Sequence, residues 1–283
     1  MCPFSSSVLD LNVNIIEKAC VTIRHSPGLA RTDWLWNAAR PVYDAAMNKL
    51  GRHGLERVVN GTDRILIDPK YRGLGEVYEP EVWRHLMSNV RAGDVVADVG
   101  AHIGLYTLAL AKRVGPSGRV VAFEPDEKSF RDLLRHVELN GLQAVVRAVR
   151  AAVGTLDGEI GFTSDQDTQN RILVEKTHQS STVPAVRLDS FFKGQRLDIL
   201  KVDVEGFEEN VLKGGLDVPM ESPQAPRLIY LEVHPYNWSS YGTTSKSFLR
   251  QLREAGYVVE TLDGQPCRSI SKYGEVIARR ANV

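Results

Sequence analysis

Four carboxylates and one imidazole, Asp98, Glu124, Asp203, Glu205 and His234, each fall at the end of an apolar run. An ionisable group there faces the crevice in which parallel sheets hold their ligands. Asp98 begins an Asp-x-Gly-x-x-x-Gly turn with Gly100 and Gly104, which leads from Val95-Val96-Ala97 into a helical pattern of Leu105, Leu108, Ala109 and Ala111. The glycines let the backbone approach a ligand where a Cβ would collide. A dinucleotide fingerprint spaces its glycines as G-x-G-x-x-G and lays a pyrophosphate over the turn. Asp98 would repel that phosphate. It suits a cofactor with an ammonium and no phosphate, and S-adenosylmethionine is the one expected, its carboxylate resting on the free amides of the next helix. Glu124, closing the run Arg119-Val120-Val121-Ala122-Phe123, is placed to accept from both ribose hydroxyls.

Methyl transfer from a sulfonium is an in-line displacement, and a hydroxyl acceptor must also lose a proton. Asp203, Glu205 and His234 end two strands expected beside the cofactor strand. Asp203 and Glu205 share one face if their strand continues that far. Asp203 is expected nearest the transfer centre, and His234 is the first choice of base because an unperturbed imidazole titrates at about 6.5. Glu205 is the second choice. The plainer readings make Glu205 a helix cap and give His234 a local hydrogen bond before Pro235. An acid pair with a histidine also resembles a magnesium or manganese set. Its spacing is not diagnostic, so an unassisted base ranks above a metal, and no metal ligand is assigned. His102 matters more for its backbone than its ring. Lys201 needs a carboxylate partner if buried. His25, His53, His85, His136 and His178 form no constellation and read as surface or satisfied residues.

These groups need a frame. From Asp94 the sequence alternates strand and helix, with helices after Gly104 and over about Ser129–Asn140, then an apolar stretch Val145–Val153. That alternation implies a parallel sheet with right-handed crossovers. Residues 154–190 interrupt it, with strands at Glu159–Phe162 and Val183–Leu188 around a polar loop holding Gln166, Gln169 and Asn170. Leu197–Val204 and Leu228–Val233 read as buried strands, Glu208–Lys213 as a helix, and Gly256–Leu262 with Glu275–Ala278 as an antiparallel pair. Arg64–Asp68 is a short strand, and Glu79 precedes a helix that opens on Pro80. Residues 1–60 read as several short helices, broken at Pro27-Gly28 and Pro41, forming an extension to a domain over 61–283. Trp34, Leu35, Trp36 and Tyr43 there are most simply a packing face, with a substrate lid or homodimer contact as the sharper reading.

Composition narrows the classes. With 283 residues, 43% of them hydrophobic, the chain can bury a large core. Its formal net charge of zero argues against a nucleic-acid partner. Cys2, Cys20 and Cys267 are scattered and form no metal or disulfide framework. No apolar run approaches the ~18 residues that span a bilayer, so no membrane partner is expected. The start of the chain contains Asp10 and Glu17 without a basic-then-apolar block, so no signal peptide is expected and a reducing cytoplasm is the default.

Three segments together resemble the FkbM-type family of S-adenosylmethionine-dependent methyltransferases: Asp94 to Gly104, Ala122-Phe123-Glu124-Pro125, and Leu197 to Gly206 with its Lys-x-Asp-x-Glu-Gly. The following Glu208 to Gly214 and Leu231-Glu232-Val233-His234-Pro235 also match. The resemblance covers about residues 62–265. It implies a class I, Rossmann-like α/β fold, a mostly parallel seven-stranded sheet with the last strand antiparallel and helices on both faces. It also implies methylation of an oxygen, usually on a sugar or a secondary metabolite, hence a small-molecule acceptor and a place in natural product biosynthesis. The expected cofactor set is Glu79, Asp98, Gly100, Ala101, His102, Gly104, Tyr106, Thr107, Glu124, Pro125, Ala152 and Asp203. The residues after Val149 offer no acid for the adenine amino group, leaving that ring to backbone atoms. Of the alternatives, an NAD-dependent oxidoreductase should show G-x-G-x-x-G, and a non-catalytic adenosyl-binding module would have no need of Asp98, Glu124 and Asp203. A base methylase should carry an Asn/Asp-Pro-Pro-aromatic segment, which this chain does not.

Overall fold

A computed structural model describes residue 22 and residues 33–163, 172–173, 181–215 and 225–281. Two compact units emerge, residues 1–78 with 138–140, and residues 79–137 with 141–283.

The first unit contains helix α1 (Asp33–Leu50) and a hairpin of β1 (Leu55–Val59) and β2 (Asp63–Ile67). Helix α1 runs through Pro41, where the sequence reading placed a break. The proline removes the N–H that would bond the Asn37 carbonyl, but both residues are exposed, so water satisfies it. Trp34, expected on a packing face, is 72% exposed. The hairpin turns on Asn60 and Gly61, both at positive φ, the backbone that a tight antiparallel turn needs. Its inward residues Leu55, Val59, Ile65 and Ile67 are buried. The Asn140 amide both donates to the Leu66 carbonyl and accepts from the Leu66 N–H, capping β2. The hairpin therefore belongs with the N-terminal unit, and the division falls after Tyr78 rather than near residue 60.

The second unit opens with α2 (Pro80–Asn89), then β3 (Val95–Val99), α3 (Leu105–Val114), β4 (Arg119–Phe123), α4 (Glu127–Leu139) and β5 (Val146–Val149). A smaller sheet follows, β6 (Ala152–Val153), β7 (Gly158–Phe162), β8 (Ile172–Leu173) and β9 (Ser181–Val186), in spatial order β6-β9-β7-β8. β9 stops two residues before the expected Leu188, which instead starts the short helix α5 (Leu188–Phe191). The unit ends with β10 (Ile199–Val202), α6 (Glu208–Lys213), β11 (Leu228–Val233), α7 (Ser245–Glu254), β12 (Tyr257–Glu260) and β13 (Gly274–Arg280). Helix α7 has no counterpart in the sequence reading. It starts at a capping box in which the Ser247 N–H donates to the Thr244 hydroxyl and Thr244 N–H to Ser247 Oγ.

The large sheet has the order β12-β13-β11-β10-β3-β4-β5, parallel except for β13. This is the mostly parallel seven-stranded sheet, with its last strand antiparallel, that the family resemblance implies. Strand order reverses between β3 and β10, which makes their carboxyl ends the natural crevice. Register decides what meets there. Val99 lies level with Phe123 on one side and Val202 on the other, and Val202 lies level with Leu231. The residues just beyond, Gly100, Glu124, Asp203 and Glu232, therefore emerge together. Beneath them Val96, Ala97, Val120, Ala122, Ile199 and Ile229 are sealed in the core, so the strand ends rest on a rigid floor.

Candidate active site

The turn after β3 is held by its neighbours. Gly100 and Ala101 both donate backbone N–H to the Phe123 carbonyl at 3.0 Å. Gly100, His102 and Gly104 all have positive φ. The expected reason for the glycines was room for a ligand, and the structure gives a different one. A Cβ on Gly100 would overlap the backbone carbonyl oxygen of Asp203, and one on Gly104 would come within 2.5 Å of Leu133 Cδ1. The main-chain contact demands glycine at 100, and at 104 a φ of 93° favours it.

Glu124 is buried, and its two oxygens accept from His102 N–H at 2.7 Å and Asp126 N–H at 2.8 Å. Burial pushes its carboxyl up to about 7 against the pull of those amides. Each oxygen keeps a second lone pair for a hydroxyl. The His102 backbone thus helps to hold Glu124. Pro125 follows, half-buried. Asp98 is fully buried, and its Oδ2 accepts from Thr107 Oγ1 at 2.6 Å. Thr107, expected at the cofactor, is itself fully buried and positions Asp98 from behind. Asp98 Oδ1 has no hydrogen-bond partner among the described residues, and Lys201 Nζ stands 3.8 Å away. Burial raises the Asp98 carboxyl, and Lys201 opposes the rise. Glu79, in left-handed backbone before α2, accepts from the Tyr106 hydroxyl at 2.7 Å. The Tyr106 ring lies against Trp83, and Lys201 Nζ sits 4.6 Å from its centre. Ala101 is buried in the turn, whereas Ala152 lies in β6, paired with Ala185 in the small sheet.

On the other side of the crevice β10 ends at Val202, and Asp203 donates its N–H to the Val99 carbonyl at 2.9 Å. Glu205 adopts a φ of 52°, so the strand does not continue and the shared-face argument for Asp203 and Glu205 fails. Glu205 is no cap either. The N-cap of α6 is Phe207, with no side-chain cap bond, and the first helical residue, buried Glu208, has a carboxylate that accepts from Gly206 N–H, Trp238 Nε1–H and His234 Nδ1, each at 2.8 Å. His234 is 2% exposed, with Nε2 lying 4.0 Å from Asp203 Oδ1, 3.9 Å from Glu205 Oε2 and 3.8 Å from Glu232 Oε1. Burial opposes a charge on this ring, but the Glu208 hydrogen bond and the surrounding carboxylates outweigh it and push its pKa up to about 9. The unperturbed near-neutral base expected from the sequence is absent. Its Nδ1 is also committed to Glu208.

Glu232 is the residue that the sequence reading missed. It is two positions before His234 on β11, and its carboxylate accepts from the Tyr273 hydroxyl. Burial, reinforced by Asp203, lifts it to about 8. Lys201 has the partners predicted for it, since Nζ also stands 3.7 Å from Asp203 Oδ2, and the two aspartates raise its pKa against the effect of burial. Of the remaining histidines, His136 Nδ1 bonds the Ile103 carbonyl and His85 Nδ1 the Tyr230 hydroxyl, both satisfied as read. His25, His178, Gln166, Gln169, Asn170, Cys2 and Cys20 lie outside the described residues. No helix among the described residues is long and apolar enough to cross a membrane.

Residues 98–259, from Asp98 through β12, match the methyltransferase FkbM domain. The chain belongs to the FkbM methyltransferase family. It is 30% identical over 145 residues to Methyltransferase 1 of Beauveria bassiana, covering 42% of this chain and 57% of that protein. It is 26% identical over 180 residues to the hexuronic acid methyltransferase AglP of Haloferax volcanii, covering 62% of this chain and 69% of AglP. The chain thus spans little more than half the length of the first of these curated relatives. Among solved structures, an S-adenosylmethionine-dependent O-methyltransferase from Thermotoga maritima superposes with a TM-score of 0.46 at 16% identity, over 76% of this chain and 70% of that one. The family's cofactor is S-adenosylmethionine, and this FkbM domain fits it. Asp98 offers a buried carboxylate oxygen without a hydrogen-bond partner among the described residues, and Glu124 offers free lone pairs one strand away.

Proposed function

We propose that the protein is an O-methyltransferase acting on a hydroxyl of a sugar or a secondary metabolite. One observation carries this reading: the carboxylates of Asp203, Glu205 and Glu232 surround His234 Nε2 directly beside the cofactor turn, with the Asp203 carbonyl packed on Gly100. S-adenosylmethionine, when bound, supplies an electrophilic methyl group. Glu124 would accept from its ribose hydroxyls, and Asp98 would pair with its ammonium. Asp203, held by Lys201, orients the acceptor hydroxyl. Glu205 would take the hydroxyl proton as the oxygen–methyl bond forms and the sulfur–methyl bond breaks, so the neutral alcohol would leave as a neutral ether and the sulfonium as the neutral thioether S-adenosylhomocysteine. Glu205 suits this task because it stands on a loop, its side chain is 21% exposed, and among the described residues its carboxylate accepts one long hydrogen bond, of 3.3 Å from the Tyr236 hydroxyl. Glu208 acts through His234, fixing the ring that faces the acceptor.

The hexuronic acid named for AglP supports a sugar acceptor. The test is incubation with S-adenosylmethionine and a panel of uronic acids, neutral glycosides and hydroxylated metabolites, read by mass spectrometry. One added methyl on an oxygen is expected. Transfer to nitrogen or sulfur acceptors alone would overturn the assignment.

A further inference from the structure

We propose that Asp203, Glu232 and His234 bind one divalent cation of the magnesium or manganese class. The ion's task of orienting the acceptor oxygen rests on the function proposed above, whereas its binding does not.

The argument begins with His234. Its ring is 2% exposed, and Glu208, itself anchored by Gly206 and Trp238, fixes Nδ1. Nε2 is thereby aimed into the crevice, and no hydrogen bond to it forms among the described residues. A ring nitrogen engaged with a single carboxylate would hold it at about 2.8 Å. Instead three oxygens stand at nearly equal distances of 3.8 to 4.0 Å. Donor atoms that share a small divalent ion at about 2.1–2.2 Å are separated from one another by roughly 3–4 Å. One donor atom from each of Asp203, Glu232 and His234 lies within 4.8 Å of the other two.

Charge and donor chemistry agree. Asp98, Asp203, Glu205, Glu208 and Glu232 crowd the crevice, and the Lys201 ammonium is set back between Asp98 and Asp203. Two carboxylates with one imidazole suit a hard or borderline ion, and three protein ligands leave positions for water and an acceptor oxygen. A carboxylate behind the ligating imidazole is the arrangement that orients such a ring and raises its basicity. An entering ion displaces the Nε2 proton to solvent. Glu205 remains outside the ligand set, free to act as base.

The full chain, stripped with a chelator and carrying neither cofactor nor acceptor, is titrated with manganese(II) by calorimetry and electron paramagnetic resonance. One ion per chain is expected, with nitrogen hyperfine coupling from the imidazole. Glu232→Gln and His234→Gln should each weaken binding at least about tenfold, and the latter should erase the nitrogen coupling. Near-ultraviolet circular dichroism verifies that each variant is folded, and Glu232→Gln, being isosteric, decides the matter if the histidine variant is not. Absence of saturable binding at millimolar manganese, or equal affinity in Glu232→Gln, would overturn the site. Because no methyl transfer is measured, failure of the proposed activity leaves this result readable.

Discussion

The two ends of the central sheet both bury acids, and they treat them differently. At the amino ends of β3 and β10, Asp94 and Asp198 are fully occupied. Arg227 donates to both oxygens of Asp94, at 3.1 and 2.7 Å, and stands 3.7 Å from Asp198. Asp94 also accepts from Arg91 N–H and Asp198 from Val95 N–H, each at 2.7 Å, while Arg196 pairs with Asp198 at 2.8 Å. At the carboxyl ends, Asp98 keeps an unbonded oxygen, and the ion pairs of Asp203 and Glu232 with Lys201 and His234 stretch to 3.7–4.0 Å. Acids that bind the fold together have short, complete sets of partners. Acids left short of partners in a buried place store interaction energy for something that arrives.

Substitutions at the two ends should therefore fail in different ways. The largest effect is expected for Glu205→Gln, which should cut turnover by roughly 10²–10⁴ with little change in the unfolding midpoint. Steady-state rates beside a denaturant titration check it, and equal loss of stability would erase the distinction between the ends. Arg227→Ala should do the reverse, costing about 3–5 kcal/mol of stability by leaving Asp94 unpaired, with the turnover of the folded fraction preserved. Chemical denaturation measures that cost. A smaller change is expected for Glu124→Ala, a loss of about 1–3 kcal/mol in calorimetric affinity for S-adenosylhomocysteine. Smallest is a pH effect. The ionised Glu124 carboxylate is the form that accepts two ribose hydroxyls, and burial holds its pKa at about 7. Affinity should be full above that value and decline as pH falls through it, while Glu124→Gln should flatten the profile. A wild-type affinity independent of pH from 6 to 8, roughly one unit on each side, would show that the hydroxyls bind elsewhere.

Much of this was legible in the sequence, and the failures share a cause. β3, β4, α6 and β11 lie where the patterning placed them, because buried strands and a short helix between glycines leave strong marks. The period-two argument for a shared face was correct physics applied to the wrong pair. It fails for Asp203 and Glu205, since the chain turns at Glu205, and it holds for Glu232 on β11 and His234 just past the strand's end, whose side chains approach to 3.8 Å. Glu208 was concealed because its role depends on Trp238 and His234, which reach it from across 26 to 30 residues. Other misses had local signals. Asn60-Gly61 marks the hairpin that supplies β1, and Thr244-x-x-Ser247 marks the start of α7. The reading of Pro41 as a break failed because an exposed helix face lets water take the orphaned carbonyl.

The contact of Gly100 with the Asp203 carbonyl has a bearing on how such a protein can change. On the function proposed above, the cofactor turn and the acceptor side meet at this joint, which is made of main chain on both sides and has no room for a Cβ. Any side chain at 100 would lever the Asp203 carbonyl, and the carboxylate with it, out of line. If that function holds, a lineage wandering through sequence space is barred from retuning acceptor choice there, because each step would also shift the turn that holds the donor. New acceptors must be accommodated from elements that do not touch that joint, and engineering for altered specificity has the same restriction.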